Sequence, residues 1–283
     1  MNPNLRRGQR QTYLKPRSRS GVPVRLLIAG ALVLFAVISY MGKREVNPVT
    51  GESQVVSLSP QEEIQMGLQA APEMVKQHGG MHPDQRLQDL VDRVGWRLVE
   101  SSIVKDTPYQ YDFHLLADAR LVNAFALPGG QTFITYALLS RLENEDQLAG
   151  VMGHEIAHVV ARHSAQRMAK SELTQGILGA IVTGTGSQSS AQMAAMVGQM
   201  INMKYGRDDE LESDKLGICW MIDAGYDPIH MAGVMRILQE ASGGGGGGQP
   251  EFMSTHPSPD NRIQQIEATI QNANTICNLN SDG

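Results

Sequence analysis

His154 and His158 flank Glu155 in a run of residues that is otherwise apolar, and that combination dictates how the middle of this chain must fold. Val151, Met152, Ile156, Val159 and Val160 surround the three side chains, so a helix here is apolar on several faces and has to be buried. Two imidazoles and a carboxylate inside a core need partners, because each buried polar group left unpaired costs about 1–3 kcal/mol. Residues four apart on a helix lie one turn apart on the same face, so both imidazoles can reach a single ion. Neutral imidazole suits zinc, and Glu155 is placed to take a proton from a water that the metal activates rather than to bind metal itself. The bland alternative, two amphipathic-helix histidines beside a surface glutamate, is weakened by the apolar flanks.

A catalytic zinc usually takes three protein ligands and keeps one position open. His163 follows five residues after His158 and falls off the metal face of a continuing helix. A third histidine at the spacing of the metzincin zinc peptidases is also missing, since Ala161 and Ser164 stand where that pattern needs Gly and His. Glu210 is the better candidate. Glu210 and Asp214 are four apart on one helical face, so Glu210 can bind the metal while Asp214 accepts a hydrogen bond from a ligand imidazole. Asp208, Asp209 and Glu212 are explained well enough as a solvated acidic helix start.

The N-terminus imposes a second constraint. Arg6, Arg7, Arg10, Lys15, Arg17, Arg19 and Arg25 occur with no acid among residues 1–25, a basic cytoplasmic arm. Residues 26–41 then carry no charge and are just long enough for a tilted membrane span. Residues 39–42 lack a small-x-small cleavage site, which favours an uncleaved transmembrane signal anchor. The charge bias keeps the arm in the cytoplasm and exports the rest, placing the protein in the inner (cytoplasmic) membrane as a single-pass protein with its catalytic part in the periplasm or exterior. An acid-free, Arg- and Ser-containing start also suits a mitochondrial presequence, so the mitochondrial inner membrane is the alternative. The whole chain has 24 basic and 29 acidic residues, and the globular part is acidic without a basic stripe, so no nucleic-acid partner is expected.

Residues 42–58 are polar and turn-rich and read as a linker, with a catalytic domain over residues 59–283. Ser59, Pro60 and Glu62 mark a helix start, and Pro72 should kink or end that helix. Further helices are expected over residues 84–100, 145–170, 208–224 and onward to about 240, with a last one after Pro259. Alternation at Tyr109, Tyr111, Phe113 and Leu115 predicts a strand, and residues 121–135, broken by Pro128, Gly129 and Gly130, predict a β-hairpin. Residues 173–203 read as two short helices around a Gly/Ser loop, and the six glycines at 243–248 as a flexible loop; the 173–203 and 242–256 loops are expected to gate a cleft. The fold class is therefore α+β, mostly helical with a small β-sheet, preceded by one transmembrane helix. Cys219 and Cys277 are the only cysteines, compatible with one disulfide in an oxidising compartment or with two buried thiols.

Taken together, residues 123–130, 153–163, 207–217 and His256-Pro257 ahead of Arg262 resemble the HtpX-like, Ste-type and Oma-type gluzincin zinc metallopeptidases, peptidase family M48, over about residues 59–270. The resemblance implies a zincin-like domain with one Zn2+ per chain held by His154, His158 and Glu210. It further implies an endopeptidase acting on unfolded or misfolded, membrane-associated proteins in envelope quality control. Residues 123–135 would supply an edge strand to which a substrate backbone adds. His256 would stabilise the oxyanion or occupy the open zinc position in a resting state, and Arg262 would partner a carboxylate or the oxyanion. Unlike members with several membrane spans, this chain shows one anchor and no obvious TPR array. A zinc-stabilised envelope chaperone or assembly factor with vestigial peptidase activity is the alternative, against which the intact Glu155 argues.

Overall fold

The computed structural model describes residues 24–185, 205–243, 251–256 and 261–277. The basic arm through residue 23, the latter part of the 173–203 stretch and the glycines after Gly243 lie outside the described residues. The first element, α1 (Val24–Met41), is uncharged except for Arg25 and has no buried residue. Its 18 residues have a mean hydropathy of 2.2 and, alone among the described helices, are long and apolar enough to cross a membrane.

Residues 42–58, expected as a linker, instead form a hairpin fastened to the helical domain. β1 (Arg44–Val46) pairs antiparallel with β2 (Ser53–Val55). Buried Asn47 organises the turn: its Oδ1 accepts from the Val49 and Thr50 amides, and its Nδ2 donates to the Val160 carbonyl at 2.8 Å. The contact is tertiary and leaves no trace in local hydrophobic pattern, because β1 is exposed throughout.

α2 (Pro60–Gln77) opens with the expected capping box between Ser59 and Glu62. It continues past Pro72, where an end or kink was expected. Pro72 removes the bond to the carbonyl of Leu68, and Leu68 is 46% exposed, so water can satisfy that carbonyl. α3 (Gln85–Ser101) buries Val91, Val94 and Leu98 on the face its periodicity indicated. Next come β3 (Asp112–Leu116), β4 (Ala124–Ala126) and β5 (Gln131–Thr135), in the order β3-β5-β4. The centre strand β5 is buried at every residue, parallel to β3 and joined to β4 as the expected hairpin. Gly129 turns that hairpin at φ 86°, and a Cβ there would lie 2.3 Å from the Ile64 Cα, so the turn and the start of α2 meet backbone to backbone.

After the short α4 (Tyr136–Leu139), Asn144 caps α5 (Glu145–Val160) by accepting from the Gln147 amide at 2.9 Å. α5 is buried almost throughout and packs on α3, β4 and β5. The helix expected to continue to residue 170 breaks after Ala161. Arg162 takes φ 59°, and α6 (His163–Thr185) starts afresh as one long helix rather than the first of two short ones. The turn aims the buried Arg162 guanidinium at Glu63 (3.1 Å), at Glu45 and at the Leu58 carbonyl, which explains a left-handed arginine.

α7 (Arg207–Asp223) stops before Gly225 at φ 72°, as expected, and α8 (Ile229–Gly243) follows. α9 (Glu251–Thr255), α10 (Arg262–Gln271) and α11 (Ala273–Ile276) complete the described chain. Cys219 of α7 forms a disulfide with Cys277, fastening the C-terminal helices to the core.

Candidate metal centre

α5 and α7 cross at two glycines. A Cβ on Gly217 would lie 3.1 Å from both the Gly153 carbonyl carbon and the His154 amide nitrogen. That near-contact of backbones carries the side chains one position further along α5, and one and two turns back along α7, into a shared buried space. His154, Glu155, His158, Glu210, Asp214, His256 and Arg262 are all buried there.

The four groups facing the centre are close to one another. His154 Nε2 lies 3.0 Å from His158 Nε2 and 3.4 Å from Glu210 Oε2, and His158 Nε2 lies 3.4 Å from Glu210 Oε1. His256, brought in by α9, places Nδ1 3.0 Å from Glu210 Oε1 and 3.4 Å from His154 Nε2. Together His154, His158, Glu210 and His256 offer ligand atoms that all fall within 4.8 Å of one another. Ligands at 2.0–2.1 Å around a tetrahedral zinc are separated by about 3.3 Å, so these spacings match the edges of such a site.

The outer nitrogens fix which lone pairs face inward. Asp214 Oδ1 accepts from His154 Nδ1 at 2.9 Å. His158 Nδ1 meets His163 Nδ1 at 2.9 Å, while His163 Nε2 reaches Glu212 at 3.2 Å. With the far nitrogens donating, neutral His154 and His158 would turn their Nε2 lone pairs toward each other across 3.0 Å, an arrangement that a cation between them satisfies. Glu155 Oε1 is buried without a hydrogen-bond donor, with His256 Nε2 3.6 Å away, a second sign of an unfilled position at the centre.

Charge points the same way. Three buried carboxylates, Glu155, Glu210 and Asp214, face a single guanidinium, Arg262, which chelates Asp214 at 2.7 and 2.8 Å and approaches Glu210 Oε2 at 2.8 Å. Burial alone would lower the His154 pKa, but its bonds to Asp214 and Glu210 lift it to about 9. Burial holds His158 well below the usual imidazole value. The pocket thus stabilises positive charge at the inner face of His154. Burial works to raise Glu210, yet His256, His154 and His158 hold it well below the carboxylate range, keeping it ionised. Burial pushes the Glu155 carboxyl up. The donor set of two imidazoles, a carboxylate and a third imidazole, with a cation-deficient interior, fits zinc.

Every residue singled out in the sequence meets here, and three that were dismissed or overlooked join them. His163 was placed off the metal face because the helix was expected to continue; the break at Arg162 lets it bond the far nitrogen of His158. Tyr205 stacks on the His158 ring at 4.0 Å between centroids and bonds Ser164. Phe252 stacks on His256 at 4.5 Å. No spacing rule marks Tyr205 or Phe252, since both arrive through chain folding from distant segments. A cleft of about 540 Å³ opens beside the centre, lined by Met66, Met74, Phe125, Leu127, Tyr205 and His256 among others.

A buried His-Glu-x-x-His helix joined by a carboxylate from a later helix defines a zinc metallopeptidase centre. The chain belongs to peptidase family M48, whose model matches residues 83–270. It is 30% identical over 249 residues to the mitochondrial metalloendopeptidase OMA1 of Schizosaccharomyces pombe, covering 87% of this chain and 72% of that one. It is 31% identical over 254 residues to the beta-barrel assembly-enhancing protease of Escherichia coli, covering 85% of this chain but only 50% of that protein. The human mitochondrial metalloendopeptidase OMA1 is 29% identical over 259 residues, with 48% of its length covered. The chain thus spans about half the length of several of its curated relatives.

Proposed function

We propose that this protein is a membrane-anchored zinc endopeptidase of the bacterial envelope that cuts unfolded or misfolded proteins, with His154, His158 and Glu210 as metal ligands and Glu155 as general base. The observation that carries this reading is the pair of inward-facing Nε2 atoms at 3.0 Å, closed by Glu210 and overlooked by the Glu155 oxygen that has no hydrogen-bond donor. When bound there, zinc supplies Lewis acidity, activating water near neutral pH and polarising a carbonyl. Glu155 takes a proton from the attacking water and delivers it to the leaving amine, a role suited by a carboxyl pushed up by burial. Asp214 and His163 hold the ligand imidazoles in the tautomers that expose Nε2. Arg262 neutralises Asp214 and steadies Glu210.

β4 is an edge strand beside the cleft, so a substrate backbone can add along residues 124–126 with little sequence preference, and the apolar lining favours segments that a folded protein keeps inside. His256 would serve as a fourth donor to the metal and points Nε2 at Glu155 across 3.6 Å, so with metal bound this arrangement would be a closed resting state from which His256 must withdraw. The basic arm before α1 supports a cytoplasmic N-terminus and a periplasmic catalytic domain. The bacterial relatives named for barrel assembly support the inner membrane over the mitochondrial alternative.

The test is zinc content and casein cleavage by the full-length protein, wild type against Glu155→Gln. One zinc in each and cleavage by wild type alone is the expected result. Zinc in both with cleavage in neither moves the assignment to a zinc-stabilised chaperone, and zinc in neither removes the metal centre.

A further inference from the structure

α1 and α6 lie side by side and run in opposite directions. Lys43, just past the end of α1, pairs with Glu172 of α6 at 2.5 Å. Deeper along, a Cβ on Gly176 would lie 3.0 Å from the Ala36 Cβ. Leu32, Phe35 and Ala36 line one side of the same groove, with Gly176, Gly179 and Ala180 on the other. Each residue that α6 travels beyond Glu172 therefore takes it further back along α1, toward the start of the span.

The chemistry of α6 changes at the same point. Beyond Glu172 no residue through Thr185 is charged. Its hydroxyls turn inward: Thr174 donates to the Lys170 carbonyl at 2.8 Å and Thr183 to the Gly179 carbonyl at 2.9 Å, the way such side chains are satisfied without water. Ile181, on this apolar half, is 43% exposed. Residues 173–185 extend about 20 Å at 1.5 Å per residue, short of a hydrocarbon core of about 30 Å.

We propose that the C-terminal half of α6 is embedded in the outer part of the bilayer beside α1, its exposed apolar face covered by lipid acyl chains. The Lys43–Glu172 pair marks the headgroup level. The inference rests on α1 crossing the membrane, since α6 inherits its depth from that packing. It also fixes the height of the catalytic centre. α6 starts at His163, which holds His158, and nine residues of helix separate His163 from Glu172, or about 14 Å. The metal centre then stands roughly that far above the headgroups, where polypeptide emerging from the bilayer passes.

Single cysteines at Ile181 and, as a second site, Thr183 are labelled with bimane in the full-length protein, whose own two cysteines are already joined. The protein is reconstituted in phosphatidylcholine–phosphatidylglycerol vesicles with and without doxyl-labelled acyl chains. Phe35→Cys on α1 and Glu100→Cys on α3 serve as references. Quenching at 181 and 183 comparable to that at 35, and at least twofold above that at 100, is the expected result. Quenching at 35 with 181 and 183 no more quenched than 100 overturns the inference while leaving the anchor in place. No quenching at 35 overturns both the anchor and the inference.

Discussion

Gly217 of α7 meets Gly153 of α5 with backbone against backbone, and a methyl group at position 217 would lie 3.1 Å from two backbone atoms of α5. Gly217→Ala gains about 0.5–1 kcal/mol of helix propensity but pushes apart two packed backbones that no side-chain rotation can relieve. The net loss expected is about 1–2 kcal/mol, with weaker zinc retention because the parted helices carry the histidines and Glu210. Thermal unfolding and zinc titration of the variant check both effects together; a stabilised variant with unchanged zinc affinity would contradict the close crossing.

Asp214 orients His154 and anchors Arg262 at the same time. Asp214→Asn keeps the shape but removes the charge, and zinc affinity should fall about 10–100-fold, as for other supports of ligand imidazoles. Competition against a zinc chelator gives the number.

Arg162 is bonded to Glu63, whose carboxyl is raised by burial even with that guanidinium pulling it down. The folded state therefore holds the Glu63 proton more tightly than the unfolded chain, and stability falls as pH rises from the unfolded pKa of about 4.3 through the folded one. Arg162→Ala lifts the folded pKa further and widens that window. Urea unfolding should show a loss of about 3–5 kcal/mol at pH 8 and a smaller one at pH 5, whereas a pH-independent loss would point to packing alone.

The disulfide between Cys219 and Cys277 closes a separation of 58 residues and ties the end of α11 to α7, and through α11 it holds α10, the helix of Arg262. Replacing both cysteines with serine should cost about 2–4 kcal/mol. It should also loosen Arg262 from Asp214, lowering zinc affinity in proportion to how far the C-terminal helices detach. Native hydrogen exchange of residues 262–276 with and without the disulfide separates that local effect from global destabilisation.

His154, Glu155, His158, Glu210 and Asp214 were legible in the sequence because helical spacing of four residues is a local signal that geometry converts directly into a shared face. Helix starts at Ser59 and Asn144 were legible for the same reason, each cap residue being read against the amides just after it. The hairpin of residues 44–55 was not, because what holds it is Asn47 reaching the Val160 carbonyl, over a hundred residues away. Nor was the break at Arg162, where no glycine or proline stands and the turn is bought by three partners from elsewhere in the chain. That one miss concealed the role of His163, since its face depends on whether the helix continues. Tyr205 and Phe252 stack on ligand rings from segments whose approach no periodicity encodes.

The fastening of the β1–β2 hairpin governs how far this enzyme can range. A slack tether would let a catalytic domain sweep a hemisphere and meet targets at an effective concentration set by tether length. Here Asn47 and Glu45 grip the end of the catalytic helix within a few residues of the last turn of α1, so the domain is bracket-mounted. With α1 in the bilayer as proposed, its search would be two-dimensional, at the pace of lateral drift, and its substrates would be those that reach a fixed height above the lipid. Truncation at residue 43 keeps the bracket and should leave a competent peptidase in detergent, which replaces α1 and lipid on α6, while truncation at residue 59 removes the grip on α5 and should disturb the centre itself.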